Sequence, residues 1–153
     1  MKLRIIWLGK TRDSWIKQGI AEYTTRVGRY LPVTIDELKD EKDATQAEGR
    51  RREGEKLIKL VAPQAMLVVL DERGEQLGSR GFADFIGQHR DSGTQELVFA
   101  IGGAYGFSDD VRKRANKLLG LSAMTFTHQM VRPFLLEQLY RACTILNNEP
   151  YHH

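Results

Sequence analysis

The sequence predicts an α/β domain with a mostly parallel sheet flanked by helices. Three observations carry this. The runs Leu3–Leu8, Met66–Leu70 and Leu97–Ile101 are strand-length and almost wholly apolar, as strands covered on both faces are. Between them, apolar residues recur at helical spacing. The two patterns alternate along the chain, about five of each, with no repeat, linker or low-complexity tract.

The first strand, Leu3–Leu8, ends at Gly9. Gly9-Lys10-Thr11 looks like the end of a phosphate-binding loop, but that pattern needs a glycine where Arg4 stands, so it is rejected. Ile16, Ile20, Tyr23, Val27 and Tyr30 then mark a helix capped by Asp13 or Ser14 and ended by Pro32. Val33–Leu38 alternates weakly and reads as a second strand. Lys39–Ala47 is very polar and reads as a mobile loop leading into a helix over Glu48–Val61.

That helix buries Leu57, Ile58 and Val61. Its charged side sets Arg50, Arg51, Arg52, Lys56 and Lys59 against Glu48, Glu53 and Glu55, which suits either a solvated face laced with ion pairs or an RNA-facing patch. After Pro63, Met66–Leu70 is a buried strand and Asp71–Gly74 its following loop. Ser79 caps a short helix with Phe82, Phe85 and Ile86 inward, and Asp91–Gly93 is a turn.

The strand Leu97–Ile101 stops on Gly102 and Gly103, with Gly106 close behind. Glycines there let a ligand approach bare backbone, and the carboxyl edge of an open α/β sheet is where ligands sit. A dinucleotide fingerprint is disfavoured, because no acidic residue ends a strand some ~20 residues later. Ser108, Asp109 and Asp110 open a further helix that Gly120 can end. Leu121–Phe126 is a second apolar segment mixed with Ser122 and Thr125. The last helix begins near His128 or later, and Pro133 favours the later start.

On that helix Val131, Phe134, Leu135, Leu136, Leu139, Ala142, Cys143, Ile145 and Leu146 spread over an arc of about 240°. A helix covering one sheet needs little more than ~100°. A partner subunit would cover the excess; a helix deep in its own core is the alternative.

At 153 residues the chain suits a single domain spanning 1–153, with 41% hydrophobic residues and no run long enough for a membrane span. The start lacks the features of a signal peptide, and the lone Cys143 excludes an internal disulfide or cysteine-cluster zinc site. A cytoplasmic protein is expected. Net charge is +3, which permits a polyanion partner without demanding one.

IGGAYG, LSAMTFTHQMVR, LLEQLYRA and the terminal PYHH, in this order and at these spacings, resemble the small SPOUT-class methyltransferases of the RlmH (YbeA) family. The likeness is sharp from about Val68 onward and looser before. It implies transfer of a methyl group from S-adenosyl-L-methionine, with no metal, to N3 of a pseudouridine in 23S ribosomal RNA. It also implies a C-terminal trefoil knot, a homodimer and action on the ribosome. Three loops at one sheet edge would hold the cofactor: Leu70, then Gly102 with Gly103, then Leu121, Ser122, Ala123, Met124, Thr125 and Phe126. Thr127 stands where many members of the family have proline.

Such a cofactor segment makes chemical sense, because adenine wants small apolar walls and free backbone groups. Glu137, Arg141, Tyr151 and His152 are the candidates for acting on the base. Glu137 and Arg141 also suit a plain exposed ion pair, and the last three residues a frayed tail. His128 either caps the last helix or touches substrate. Two other readings stand beside the first: the same chemistry on another RNA, and a non-enzymatic RNA- or ribosome-binding domain. The second is weakened by composition, since aromatics are only 8% and fall mostly at core-like positions.

Overall fold

The computed structural model describes residues 1–42 and 44–153. Strands β1 (Lys2–Leu8), β2 (Val33–Leu38), β3 (Met66–Gln76), β4 (Glu96–Ile101) and β5 (Lys117–Gly120) form a sheet in the order β2-β1-β4-β3-β5. All of its pairs are parallel. Helices α1 (Ser14–Gly28), α2 (Gln46–Leu60), α3 (Ser79–Asp91), α4 (Asp109–Arg114) and α5 (His128–Leu146) connect and follow the strands.

Alternation along the strands divides the core in two. Leu3, Ile5, Trp7, Val68, Leu97, Phe99 and Ile101 face α1, α3 and α5. Ile6, Leu8, Leu67, Val69, Val98 and Ala100 face α2 and α4. Both sheet faces are covered, which is why the strands read as nearly unbroken apolar runs.

The wide apolar arc of α5 is used inside the chain. This helix packs between α1 and α3, on one side with Pro133 against Gly19 and on the other with Leu146 against Gly87. Leu139 is 1% exposed, while Phe134 at 37% is the open apolar position. The arc therefore does not by itself require a partner.

Several element boundaries differ from expectation. Helix α2 starts at Gln46, because the Thr45 hydroxyl accepts from Glu48 N at 3.3 Å; within the expected polar loop, Asp43 lies outside the described residues. Gly78, not Ser79, is the cap position of α3. Helix α4 stops at Arg114 rather than Gly120. There Asn116 exchanges two 2.8 Å hydrogen bonds with the backbone of Leu67, and the chain turns into β5.

The largest difference lies at Asp71–Gly74. These residues are not a loop but the middle of an eleven-residue β3. Leu119 pairs with both Leu70 and Glu75, so the intervening residues bulge while the strand runs on. Gly74 crosses β5 so closely that an added Cβ would lie 2.6 Å from Leu118 C and Leu119 N.

Gly74→Ala should therefore destabilise the fold by about 1–3 kcal/mol through overpacking. Gly81→Ala, whose nearest neighbour would be a Leu77 side-chain atom at 3.8 Å, should raise stability by about 0.5–1 kcal/mol. Urea unfolding of the two variants beside the parent measures both.

Candidate active site

The chain leaves β1 toward α1 on one face of the sheet and leaves β4 toward α4 on the other. Neighbouring strands whose connections part in this way leave a crevice at their carboxyl ends. A cavity of about 1040 Å³ lies there. Its walls come from Arg12–Ile16 after β1, from Leu70–Arg73 in β3, from Ile101–Phe107 after β4, and from the chain following β5.

The glycine loop has a built conformation. Gly106 N donates to Gly103 O at 3.0 Å, and Gly106 takes a φ of 75°, which disfavours any side chain. A Cβ on Gly102 would press on Gly106 backbone atoms at 3.0–3.3 Å. Gly103 differs: its added Cβ would meet only Glu53 Oε1 at 3.9 Å and Leu8 Cβ at 4.0 Å. The positions that cannot take a side chain are thus Gly102 and Gly106.

Leu121–Phe126 is a loop. Ser122 Oγ accepts from Met124 N at 3.0 Å, and the Thr125 hydroxyl donates to Glu72 at 3.1 Å. Phe126 meets Phe134 edge-on at 5.2 Å. Asp71 accepts from Arg112 Nε at 2.7 Å and from Arg73 N at 2.8 Å. Burial works to raise the pKa of this carboxyl, but those hydrogen bonds and charges outweigh it, and it titrates below the ordinary range.

These walls suit S-adenosylmethionine. Leu70, Ile101, Leu119, Leu121 and Phe126 offer apolar surface, and Gly102 keeps bare backbone because Gly106 leaves no room for a Cβ. No group of ligands for a metal ion occurs among the described residues.

The start of α5 is tied to the end of β1. The Thr127 hydroxyl accepts from Met130 N at 3.2 Å, so Thr127 caps the helix. His128 is thus not the cap; its ring borders the cavity, and burial, then the charges of Arg132 and Arg12, lower its pKa. Gln129 donates to Lys10 O at 3.0 Å and accepts from Arg12 N at 3.1 Å. Arg132 is 0% exposed; it donates to Leu8 O at 2.9 Å, Gly9 O at 3.0 Å and the Thr11 hydroxyl at 2.9 Å, and lies over the Trp7 ring. Burial lowers its pKa to about 10, with Glu37 opposing the shift.

Pro133 lies inside α5, contrary to the late start it suggests in the sequence. It removes the backbone donor that would serve Gln129 O.

The other candidate residues gather around the far end of α5. Glu137 accepts from Arg141 Nη2 at 2.6 Å, from Tyr151 OH at 2.9 Å and from Gln138 Nε2 at 3.0 Å. Arg141 also donates to His152 Nδ1 at 3.1 Å and lies over the Tyr151 ring. Burial, followed by the hydrogen bond to Glu137, raises the Tyr151 pKa, so its phenol acts as a donor. The tail is not frayed: Tyr151 also stacks edge-on against Tyr140 at 4.7 Å, and Tyr30 OH donates to Glu149 at 2.7 Å.

Comparison with known proteins settles the kinship of this fold. The family described as "Predicted SPOUT methyltransferase" matches residues 1–152. A protein of Trichlorobacter lovleyi named ribosomal RNA large subunit methyltransferase H is 78% identical, over all of both chains. The protein of the same name in Pelobacter propionicus is 61% identical, again over both whole chains. The chain belongs to the RlmH family of SPOUT methyltransferases. Among solved structures, a tRNA (m1G37) methyltransferase from Aquifex aeolicus shares the fold at TM-score 0.58 and 12% identity, over 100% of this chain and 75% of the other. A probable methyltransferase from Bordetella pertussis does so at 0.57 and 11%, over 93% and 96%.

The RlmH resemblance points to two residue groups, and the structure places them differently. Leu70, Gly102, Gly103, Leu121, Ser122, Met124, Thr125 and Phe126 all border the cavity, whereas Ala123 does not. Glu137 borders a second hollow of about 520 Å³ that shares Leu119, Leu121 and Phe126 with the first. Arg141, Tyr151 and His152 border neither hollow but are bonded to Glu137 or to one another. Sequence reasoning missed Asp71, Arg112, Gln129 and Arg132. For Arg132 the signal was present, because Leu135, Leu136 and Leu139 stand three, four and seven residues on, which puts it on the core face.

Arg132→Met should cost about 3 kcal/mol or more, since the carbonyls of Leu8 and Gly9 would lose their buried donor. Denaturant unfolding measures the loss, and a change within ~0.5 kcal/mol would show that the tether carries no weight.

Proposed function

We propose that this protein, as a single domain over residues 1–153, methylates N3 of a pseudouridine in 23S ribosomal RNA, using S-adenosylmethionine and acting on the assembled ribosome in the cytoplasm. The observation that carries this reading is full-length identity of 78% to a protein named as a large-subunit ribosomal RNA methyltransferase. The trefoil knot implied by the family likeness belongs to the same reading.

When bound, the cofactor supplies a methyl group already activated on a sulfonium. What remains for the protein is alignment and removal of the N3 proton. Leu70, Gly102, Gly103 and Leu121–Phe126 would hold the cofactor. Glu137, with three donors on its oxygens, orients Arg141 and Tyr151 rather than taking a proton. His152 accepts from Arg141 through Nδ1, so in its neutral form the proton sits on Nε2 and that nitrogen is a donor. Arg141 and His152 thus present donors to the base carbonyls, and the weakly acidic imide proton leaves to solvent. Tyr151, whose one O–H is held by Glu137, positions Arg141 through its ring.

We propose a homodimer in which each tail completes the site of the other subunit. Leu139 is core, so the partner-facing position on α5 is Phe134, beside Phe126. Phe134→Glu should shift the protein to monomer in sedimentation while circular dichroism stays unchanged. A wild type that sediments as a monomer at micromolar concentration would end the dimer proposal.

Three of the five cations of α2 are held in ion pairs. Arg51 is paired with Glu48 and Glu55, Arg52 with Glu48, and Lys56 with Glu41.

The deciding experiment supplies labelled S-adenosylmethionine and ribosomes lacking the modification, then maps the methylated base. Label on a pseudouridine is expected; label on another nucleotide would reassign the target, and no label would favour a binding module. Deleting residues 151–153 should leave cofactor affinity unchanged and lower methyl transfer at least ~100-fold. Full activity without the tail would remove Tyr151 and His152 from the mechanism.

A further inference from the structure

Most of the large exposed apolar side chains gather at one place. Trp15 (57% exposed), Tyr105 (65%), Met124 (74%) and Phe126 (38%) all border the main cavity. Contiguous apolar surface rimmed by polar groups marks an interaction site. Composition alone sends the aromatics to the core, yet here a tryptophan and a tyrosine stand open at the cavity, one from the start of α1 and one from the glycine loop.

Cations stand beside them. Lys10 and Arg12 are exposed and make no ion pair among the described residues. Arg73, 67% exposed, approaches only Asp71 among the acidic groups of the described residues, at 3.6 Å. The acidic groups at the same rim are Asp13, Asp71 and Glu72, with Glu37 behind the segment; Asp71 is bound to Arg112, Glu72 accepts from Thr125, and Glu37 accepts from Trp7 Nε1 and Thr11 N.

The placement of this segment is enforced from below. Gln129 holds Lys10 O and Arg12 N, and Arg132 holds Leu8 O, Gly9 O and the Thr11 hydroxyl. A guanidinium with no exposure thus fixes the very loop that leads to Arg12 and Trp15. Groups preset in this way lose less freedom when a partner arrives.

We propose that the Lys10–Trp15 segment, with Tyr105 across the cavity, docks single-stranded RNA adjoining the target nucleotide: Arg12 takes a phosphate and Trp15 stacks a base. An aromatic platform beside unpaired cations is what such strands require. Those free cations favour a polyanion as the occupant of this rim. The proposal rests on the reading that the chain modifies RNA.

The test uses full-length Trp15→Ala and Arg12→Gln. Three quantities are measured: KM for ribosomes lacking the modification, S-adenosylmethionine affinity by calorimetry, and sedimentation. Trp15→Ala should raise KM about tenfold. Arg12→Gln should raise it too and lower the salt slope of log KM by about one. Cofactor affinity should stay within about twofold and sedimentation should not change. Unchanged KM and salt slope in both variants would overturn the proposal. Altered sedimentation would give this surface to a second copy and overturn it equally. Binding to large ribosomal subunits without cofactor separates the two readings. A wild type that binds through Trp15 and Arg12 but transfers no methyl would end the enzymatic reading and leave the docking surface standing.

Discussion

Two backbones meet at Gly74, and the geometry of the cavity depends on that contact. The second half of β3 lies directly on β5, where only a residue without a side chain fits against Leu118 and Leu119. Gly120 repeats the constraint from the other strand, since its Cβ would lie 3.0 Å from Gly74 O and 3.3 Å from Asp71 O. Because Leu119 pairs on both sides of the bulge, Asp71 and Glu72 are delivered to the cavity wall. The same pairing fixes the point from which Leu121–Phe126 departs. The Leu121–Phe126 loop therefore has a rigid origin although it makes no strand pairing of its own.

Much of this fold was legible because burial on both faces leaves a plain mark. β1 and β4 follow the apolar runs to within a residue, edge strand β2 follows the weakly alternating Val33–Leu38, and the glycines after β4 stand at the sheet edge where the cavity lies. What the sequence hid was non-local. Asp-Glu-Arg-Gly has the composition of a turn, and nothing nearby reveals that β5 will come to lie against it. The boundary between α4 and β5 is set by Asn116 reaching Leu67, a residue distant in the chain. The ion pairs of Glu48 and Glu55 with Arg51 and Arg52 were legible as a laced helix face, but not that Lys56 would reach Glu41 in the loop before the helix, nor that Glu53 would hold the Glu41 backbone instead of a cation.

The candidate site was legible in its parts and not in its grouping. The family likeness named Glu137, Arg141, Tyr151 and His152, and they form one hydrogen-bonded cluster. It also named the cavity loops. No periodicity says that the two sets lie apart in one chain, since that depends on where the tail folds back. Composition likewise misjudged the aromatics, because the start of a helix looks the same whether its tryptophan faces the core or the solvent.

The helix α5 joins these parts. Its first turns carry Gln129 and Arg132, which fix the chain after β1; Glu137 and Arg141 further on fix the tail. From Arg132 to Glu137 the helix rises only about 7.5 Å, so both ends of the candidate machinery are set by one short rigid segment. That segment tolerates Pro133 because the proline's own ring packs against Gly19 of α1, 3.5 Å from where a Cβ would stand. The backbone bond lost at Gln129 O is a local cost, offset by tertiary contact along the whole helix. Its side chain, meanwhile, makes two hydrogen bonds to the loop after β1. A helix whose core face carries an arginine is thus explained by what that arginine holds: the carbonyl ends of β1, and through them the rim of the cavity.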